Sequence, residues 1–92
     1  MDRMNSFVHF QRILGEIIRA NRKRIGMSQV SLAAKAGVSK RFLRDVEHGR
    51  CDIAVANLLR VSHELGLSMS ELFRQVEDDA TGKLNGRNSL NG

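Results

Sequence analysis

The chain contains 92 residues, of which 41% are apolar, and carries a formal net charge of +5. A chain of this length suits one small domain and is too short for two ordinary ones. With one cysteine it cannot form an internal disulfide, so we expect a reducing, cytoplasmic setting. No apolar run approaches the roughly 20 residues of a membrane span, and we expect neither a span nor a secretory signal.

The positive charge is concentrated between residues 19 and 50. This stretch holds nine Lys and Arg against Asp45 and Glu47, a net +7, whereas residues 51–92 hold four against six acidic residues, a net −2. A polyanion such as DNA attracts a cluster of this kind through its phosphates. A solvated surface is the alternative interpretation of the same charges.

Helical apolar spacing predicts a long first helix from Phe7 to Ile25, after a loose polar start at residues 1–6. Gly15 inside this helix costs about 1 kcal/mol relative to alanine, which a close helix–helix contact explains. Arg22 lies near the buried edge, where a cation needs a partner, and Glu47 is the candidate. The residues expected on the buried face are Phe10, Leu14, Ile17, Ile18 and Ile25.

Residues 28–49 are typical of two short helices joined by a tight turn. Ser28 and Ser39 are suited to cap the two helices, and Gly37 supplies the conformational freedom that the turn needs. The buried stripes are Val30, Leu32, Ala33 and Ala36 in the first helix and Leu43 and Val46 in the second. The second helix turns outward Lys40, Arg41, Arg44, Asp45 and His48. An amphipathic helix with a cationic outer face fits a DNA major groove, so we predict a helix-turn-helix module.

A fourth helix is predicted from about Ile53 to Leu65, with Asp52 as its N-cap. Its apolar residues expected mostly inside are Val55, Leu58, Leu59 and Val61. The capping-box pattern that starts at Ser68 begins a short fifth helix, which ends near Val76. Residues 1–76 therefore form the predicted domain, with an N-terminal extension at 1–9, and residues 77–92 are predicted to be a flexible tail.

The fifth helix and the turn before it carry more apolar surface than one small domain easily hides. We weigh two explanations equally: closure of the core, and a two-fold dimer contact to which Phe7 and Val8 would add. The residues of the predicted dimer contact are Leu67, Met69, Leu72 and Phe73.

The spacing of glycine, apolar and polar residues resembles the lambda-repressor-like (Xre/Cro) helix-turn-helix family over about residues 14–75. The residues that carry the resemblance are Ile18-Arg19, Arg22, Gly26, Ser28-Gln29, Leu32-Ala33, Gly37-Val38-Ser39, Leu43, Val46-Glu47, Gly49, Leu58-Leu59 and Leu65. The resemblance implies a compact, all-α, five-helix DNA-binding domain that dimerises. It also implies the Arg22–Glu47 ion pair and a contact from Gln29 to the DNA backbone, with capping of its own helix as the alternative role of Gln29. Asp52 departs from the family pattern, because relatives commonly carry an uncharged residue there.

We predict a sequence-specific transcriptional regulator that binds a roughly palindromic operator in double-stranded DNA as a homodimer. The candidate contacts to base edges are Lys40, Arg41, Arg44, Asp45 and Ser39, and those to phosphates are Gln29, Arg50, Ser28, Arg19 and Lys23. Asp45 either accepts from cytosine N4 or orients Arg41, and we favour the second role.

Three other functions stay open: a restriction–modification controller, a DNA-binding antitoxin that also masks a toxin, and a protein-interaction module without DNA contact. Salt-dependent binding to duplex DNA separates the last from the others. The histidines are scattered and Cys51 has no ligand-spaced partner, so we expect no metal site and no cofactor. The sequence has neither a glycine-rich phosphate loop nor a nucleophile motif, so we do not expect an enzyme.

Overall fold

A computed structural model describes residues 3–80, with the side chains of residues 7–79. Every regular element in this part of the chain is an α-helix, and the prediction of an all-α, five-helix domain is confirmed. The helices are α1 (Arg3–Arg24), α2 (Gln29–Ala36), α3 (Lys40–Glu47), α4 (Val55–Glu64) and α5 (Met69–Ala80). None of the described helices is both long and apolar enough to cross a membrane.

One apolar core holds the five helices together. α1 packs against α3 and α5, while α2 packs against α3 and α4. Because helices of eight to twelve residues are marginal alone in water, α2 to α5 depend on this packing. The large, fully buried side chains come from all five helices or their ends and include Ile18, Leu32, Leu43, Leu65 and Leu72.

α1 crosses the end of α3 at Gly15. A Cβ atom at this position would lie 2.3 Å from the carbonyl oxygen of Val46 and 2.8 Å from that of Glu47. Any side chain larger than hydrogen therefore collides with backbone atoms of α3. The close helix–helix contact that Gly15 predicts is confirmed, and it sets how near α1 and α3 approach each other.

Local capping sets the boundaries of α2 and α3, as the sequence predicts. The hydroxyl oxygens of Ser28 and Ser39 each accept a hydrogen bond of 3.0 Å from the amide three residues later. Between the two helices, Gly37 adopts the left-handed conformation with φ of 74° and donates its N–H to carbonyls of the last turn of α2. The helix-turn-helix geometry therefore follows from three small residues.

The first residues of α1 and α4 differ from the prediction. α1 begins at Arg3, so the chain is already helical where a loose start is expected. α4 begins at Val55, with Ala54 at its N-cap position and no capping side chain. Asp52 instead accepts a hydrogen bond from the Gln11 side chain of α1. Its prediction as the N-cap is wrong because it lies three residues ahead of α4.

α5 begins with the predicted capping box and ends later than predicted. The Glu71 amide donates to Ser68 Oγ and the Ser68 amide donates to Glu71 Oε1, each over 3.1 Å. These hydrogen bonds from Ser68 lower the pKa of Glu71. α5 continues to Ala80, about one helical turn beyond the end predicted near Val76. The domain boundary placed at residue 76 stays a prediction. The rest of the predicted tail, 81–92, lies outside the described residues.

Several apolar residues predicted to be inside lie at the surface instead. Val30 is 58% exposed, and Val55 and Leu59 are exposed as well, while Phe10 and Ile25 of the α1 stripe are partly exposed. Helical spacing identifies an apolar stripe but does not tell how much of it the neighbouring helices cover. Val30 and Val55 lie in the first turns of short helices, where this coverage ends.

Candidate nucleic-acid interface

α3 has two chemically distinct sides. The buried side is formed by Leu43, Val46 and Glu47. On the other side Lys40, Arg41 and Arg44 are exposed, and within the described residues their cationic groups make no hydrogen bond or ion pair. A helix anchored on one side, with three such cations on the other, offers donors to base edges and phosphates. The structure therefore brings together the three predicted base contacts that carry positive charge.

Ser39 and Asp45, the other two predicted base contacts, are less available. Ser39 uses its hydroxyl oxygen to cap α3, although the hydroxyl hydrogen remains able to donate. Asp45 is half-buried, whereas Lys40, Arg41 and Arg44 are exposed. Of the five candidates, the three cations therefore present the larger contact surface.

A groove with a volume of about 430 Å³ lies where α1, α2 and α3 meet, and we call it the basic groove. Its residues are Arg19, Arg22, Ser28, Gln29, Val30, Lys40 and His48. It joins three of the predicted phosphate contacts to one predicted base contact at the start of α2, where the helix dipole favours an anion. Lys23 lies on a neighbouring surface shared with Arg19, and Arg50 is exposed in the loop after α3.

Arg22 and Glu47 form a buried, two-point ion pair at the back of the basic groove. Arg22 Nε lies 2.7 Å from Glu47 Oε2, and Arg22 Nη2 lies 2.9 Å from Glu47 Oε1. Arg22 Nη1 also donates to the Met27 carbonyl over 2.9 Å. The structure thus brings together the two residues that the sequence pairs, and the bidentate contact ties the end of α1 to the end of α3.

Gln29 is bonded to the same carboxylate. Its Nε2 atom donates to Glu47 Oε1 over 3.0 Å, so the side chain does not cap its own helix. The second amide hydrogen and the amide oxygen remain available to a ligand in the basic groove. The sequence does not predict this contact, because it joins residues of two helices and no local pattern encodes it.

His48 and Val30 complete the lining of the basic groove. His48 ends α3, and its Nδ1 lies 2.8 Å from the Arg44 carbonyl, to which it donates. The side chain is exposed, as the sequence predicts for the outer face of this helix. Val30 is exposed in the groove although its apolar spacing predicts burial. The spacing of apolar residues along α2 does not show that Val30 lines this surface.

Cys51 is half-buried in the loop after α3. Burial raises the pKa of its thiol, and the negative charges of Asp45 and Asp52 raise it further. A thiol that stays protonated is a weak nucleophile and a poor metal ligand. Among the residues that the structure describes, no group of three or more His, Cys, Asp and Glu is placed to hold a metal ion.

The predicted dimer contact at the start of α5 is largely used inside the chain. Leu72 is fully buried, so its prediction as an interface residue is wrong because its side chain closes the core. Leu67 and Met69 are half-buried and pack against that core. Phe73 remains exposed on α5, and its role between two copies stays a prediction.

Comparison with known proteins places this geometry in a family. A family model described as helix-turn-helix matches residues 18–72. The chain is 42% identical over 62 residues to the HTH-type transcriptional regulator SlrR of Bacillus subtilis (strain 168). This match covers 66% of the chain and 41% of SlrR. The chain is 28% identical over 61 residues to the control protein C.MunI of Mycoplasma sp, covering 66% of this chain and 82% of that protein.

A solved structure extends the comparison to the fold. The crystal structure of the restriction-modification controller protein C.AhdI from Aeromonas hydrophila is similar with a TM-score of 0.65 and 27% identity, over 67% of this chain and 94% of that chain. The matched family region contains every residue of the basic groove, the turn at Gly37 and all of α3. Proteins of this kind bind double-stranded DNA and are not typically enzymes. The chain belongs to the helix-turn-helix family of DNA-binding transcription regulators.

Proposed function

We propose that the chain recognises a specific operator by placing α3 in the major groove. The observation that supports this is the side of α3 on which Lys40, Arg41 and Arg44 are exposed together without intramolecular partners in the described structure. Arg41 and Arg44 suit the O6 and N7 atoms of guanine, because a guanidinium donates two parallel hydrogen bonds. Lys40 also lines the basic groove and so contacts a base edge next to the DNA backbone.

In this proposal the basic groove holds the phosphate backbone. Arg19 and Lys40 supply positive charge, while Ser28 and Gln29 supply neutral donors at the start of α2. The bond from Gln29 to Glu47 holds the amide in place, so less side-chain freedom is lost when a phosphate binds. Arg50 and Lys23 contact neighbouring phosphates and help to set the register of α3 on the duplex.

Arg44 and Arg50 are expected to contribute differently to binding. Arg44→Ala should lower affinity for the operator by about 1–3 kcal/mol and relax the preference at one base pair, because a contact to a base edge is lost. Arg50→Ala should weaken specific and random duplexes alike and reduce the salt dependence by about one phosphate contact. Fluorescence anisotropy at several salt concentrations measures both effects, with an operator selected from a random pool.

The matched control for these two variants is Arg74→Ala, which removes an exposed cation of α5. Its affinity should stay within about 0.5 kcal/mol of that of the unchanged chain, because the side chain lies on another helix. Equal losses on operator and random DNA for both Arg44→Ala and Arg50→Ala would contradict the division of roles. A loss of the same size from Arg74→Ala would assign the effects to net charge.

We also propose that two copies bind the two half-sites of a roughly palindromic operator. Two-fold dimers of this class hold their recognition helices about 34 Å apart, one turn of B-DNA. Footprinting should therefore show two protected half-sites with this centre-to-centre spacing, and gel shifts should give two chains per duplex. A single unpaired half-site occupied by one chain would contradict the dimer.

A restriction–modification controller is the second candidate function. It is favoured by similarity to two such proteins, the control protein C.MunI at 28% identity and the restriction-modification controller protein C.AhdI at 27% identity with a TM-score of 0.65. Mapping the selected operator in its genome is the test. An operator ahead of methyltransferase and endonuclease genes supports this role, whereas an operator beside a toxin gene supports a DNA-binding antitoxin.

A further inference from the structure

α1 touches the loop after α3 at Gly49. A Cβ atom at Gly49 would lie 2.7 Å from Arg12 Cα and 3.2 Å from the Arg12 backbone nitrogen, so α1 passes directly over this glycine. Arg50, which is exposed, is the next residue of the loop. The crossing therefore places two arginines, one from α1 and one from the loop, next to the same glycine.

Arg12 is held at this crossing without a partner that cancels its charge. Its Nη2 atom donates to His9 Nδ1 over 2.9 Å, because a guanidinium has donors only. In the part of the chain whose side chains are described, Arg12 forms no ion pair. The side chain is exposed, and four of its five N–H groups remain available. His9 thus orients the guanidinium and leaves its positive charge free to attract an anion.

A row of charged residues at three- and four-residue spacing joins Arg12 to the basic groove along one side of α1. We call it the α1 row; its residues are Arg12, Glu16, Arg19 and Lys23. Arg19 lines the basic groove together with His48, and His48 directly precedes Gly49, on which Arg12 packs. The surface proposed to hold the DNA backbone therefore continues along α1 as far as Arg12.

We propose that Arg12 binds a phosphate of the operator at a second backbone site, which it forms with Arg50 next to Gly49. The inference rests on the proposed placement of α3 in the major groove. Arg12 and Arg19 are about 10 Å apart along α1, whereas successive phosphates of one strand rise by only about 3.4 Å. The two arginines therefore bind different phosphates, and Arg12 extends the backbone contact beyond the basic groove.

Arg12 lies outside the region that the family comparison covers. The helix-turn-helix model matches residues 18–72, whereas α1 begins at Arg3. The part of α1 that carries Arg12 precedes the matched region. A contact from Arg12 is therefore an addition to the contacts that the family resemblance assigns.

Asp52 is the acidic residue of the loop between α3 and α4, and an anion there opposes the binding of a phosphate. Its Oδ1 atom accepts a hydrogen bond from Gln11 Nε2, so the carboxylate is held by the residue that precedes Arg12. Arg12 and Arg50 together outweigh this single negative charge. Gln11 and Arg12 thus explain how a loop that contains an aspartate approaches the DNA backbone.

The first test measures binding of the full chain to its selected operator and to a random duplex, by fluorescence anisotropy over a salt series. Arg12→Ala should weaken both about two- to fivefold at physiological salt, as for the loss of one exposed charge pair. It should also reduce the slope of log K against log salt by about 0.9, and Arg12→Lys should restore the slope because it keeps the charge. Both variants retain the Cβ atom that packs on Gly49, so the Tm measured by circular dichroism should not change.

Arg24→Ala is the matched control for Arg12→Ala. Arg24 is an exposed arginine of the same helix, and it also donates to a residue one turn earlier, Asn21, over 3.3 Å. Asn21 in turn donates to Gln75 of α5, so Arg24 lies towards α5 and away from the α1 row. This variant loses the same charge, yet its affinity and its salt slope should equal those of the unchanged chain.

Glu16→Gln tests the α1 row with the opposite sign. Glu16 lies in the row between Arg12 and Arg19, where its carboxylate repels a phosphate that passes along α1. Its neutralisation should therefore raise the affinity for both duplexes about two- to fivefold. Glu64→Gln removes the same charge from α4 and should leave both affinities unchanged.

Ethylation interference locates the contact on the operator, because an ethylated phosphate loses the charge that a cation binds. Arg12→Ala should make one phosphate insensitive to ethylation that is sensitive with the unchanged chain. This phosphate should coincide with, or lie next to, the one whose sensitivity is lost in Arg50→Ala. Arg24→Ala should leave the whole pattern intact.

Three outcomes overturn the proposal. Equal losses from Arg12→Ala and Arg24→Ala would assign the effect to net charge. A lower Tm of Arg12→Ala, with weaker binding that Arg12→Lys does not restore, would make Arg12 a structural residue of the crossing. An interference pattern that Arg12→Ala does not change would mean that no phosphate lies at the second backbone site.

The same measurements separate this proposal from the proposed function. If Arg44→Ala relaxes the base preference while Arg12→Ala binds as the unchanged chain does, only the second backbone site is wrong. If the unchanged chain has no affinity for either duplex, the role of α3 and the second backbone site are both wrong.

Discussion

Replacing Glu47 by alanine is expected to lower the free energy of unfolding by about 3–5 kcal/mol, because it leaves the Arg22 guanidinium buried without its anionic partner. Arg22 is 7% exposed and Glu47 4% exposed, so the guanidinium has little hydration to offset the loss of the carboxylate. Gln29 Nε2 loses its acceptor in the same variant. A small domain is stabilised by only about 5–15 kcal/mol in total, so this one substitution removes a large part of the stability.

Thermal melts followed by circular dichroism measure this loss. In a domain of this size each kcal/mol lowers the Tm by about 4–8 °C, so the Glu47→Ala transition should be displaced by more than 10 °C. Glu16→Ala, which removes an exposed carboxylate of α1, is the control and should change stability by less than about 0.5 kcal/mol. Replacing both partners, as in Arg22→Met with Glu47→Leu, should recover much of the loss because no unpaired charge remains.

If Glu47→Ala had the same Tm as Glu16→Ala, this explanation would be wrong. It would mean that Arg22 finds another anion or reaches water once Glu47 is gone. Gln29→Ala provides an independent check, because it removes one hydrogen bond to Glu47 and leaves the ion pair intact. Its cost should therefore be smaller than the cost of Glu47→Ala, at about 1.5–3 kcal/mol or less for one bond to a charged group.

Local chemistry made the helix-turn-helix predictable from the sequence. Ser28, Gly37 and Ser39 act on amides and carbonyls within a few residues of themselves, so their effects appear in the sequence as well as in the structure. The two sides of α3 follow from spacing for the same reason, since residues three and four apart share a helix face. The boundaries of α2 and α3, and the exposed cations of α3, needed no knowledge of the other helices.

Contacts between distant segments were only partly predictable. Arg22 and Glu47 could be paired because a cation on a buried edge needs an anion, and few anions face inward. Gln29 gave no such signal, since an amide is satisfied by water as readily as by Glu47. Asp52 was predicted as an N-cap from its position just before a helix, but its carboxylate accepts a hydrogen bond from the Gln11 side chain of α1 instead. These contacts depend on how the helices are arranged, which periodicity does not specify.

Coverage by neighbouring helices was the least predictable property. Leu72 and Phe73 are adjacent and equally apolar in the sequence, but the first is fully buried and the second borders an open cavity. The same applies to Leu58 and Leu59 on α4, of which only Leu58 faces the core. A stripe of apolar residues shows which face of a helix is apolar. Only the arrangement of the helices shows which part of that face the neighbouring helices bury.

Replacing Gly15 by alanine is expected to destabilise the domain by about 1–3 kcal/mol, although alanine is the better helix former by about 1 kcal/mol. The added methyl would lie 2.3 Å from the Val46 carbonyl oxygen and 2.8 Å from that of Glu47, and both are backbone atoms that cannot rotate away. α1 and α3 must therefore separate. That separation strains the Arg22–Glu47 pair, which joins the same two helices.

The sign of the Gly15→Ala effect is the decisive observation, and Ala20→Gly supplies the comparison. Ala20 is an exposed residue of α1, so its replacement by glycine should cost about 1 kcal/mol through helix propensity alone. The two substitutions are opposite in propensity, yet both should lower the Tm. Gly15→Ala should also weaken operator binding, because α3 moves relative to the basic groove, whereas Ala20→Gly should not. If Gly15→Ala instead raised the Tm by about as much as Ala20→Gly lowered it, the two helices would have room at their crossing and the contact would not set the position of α3.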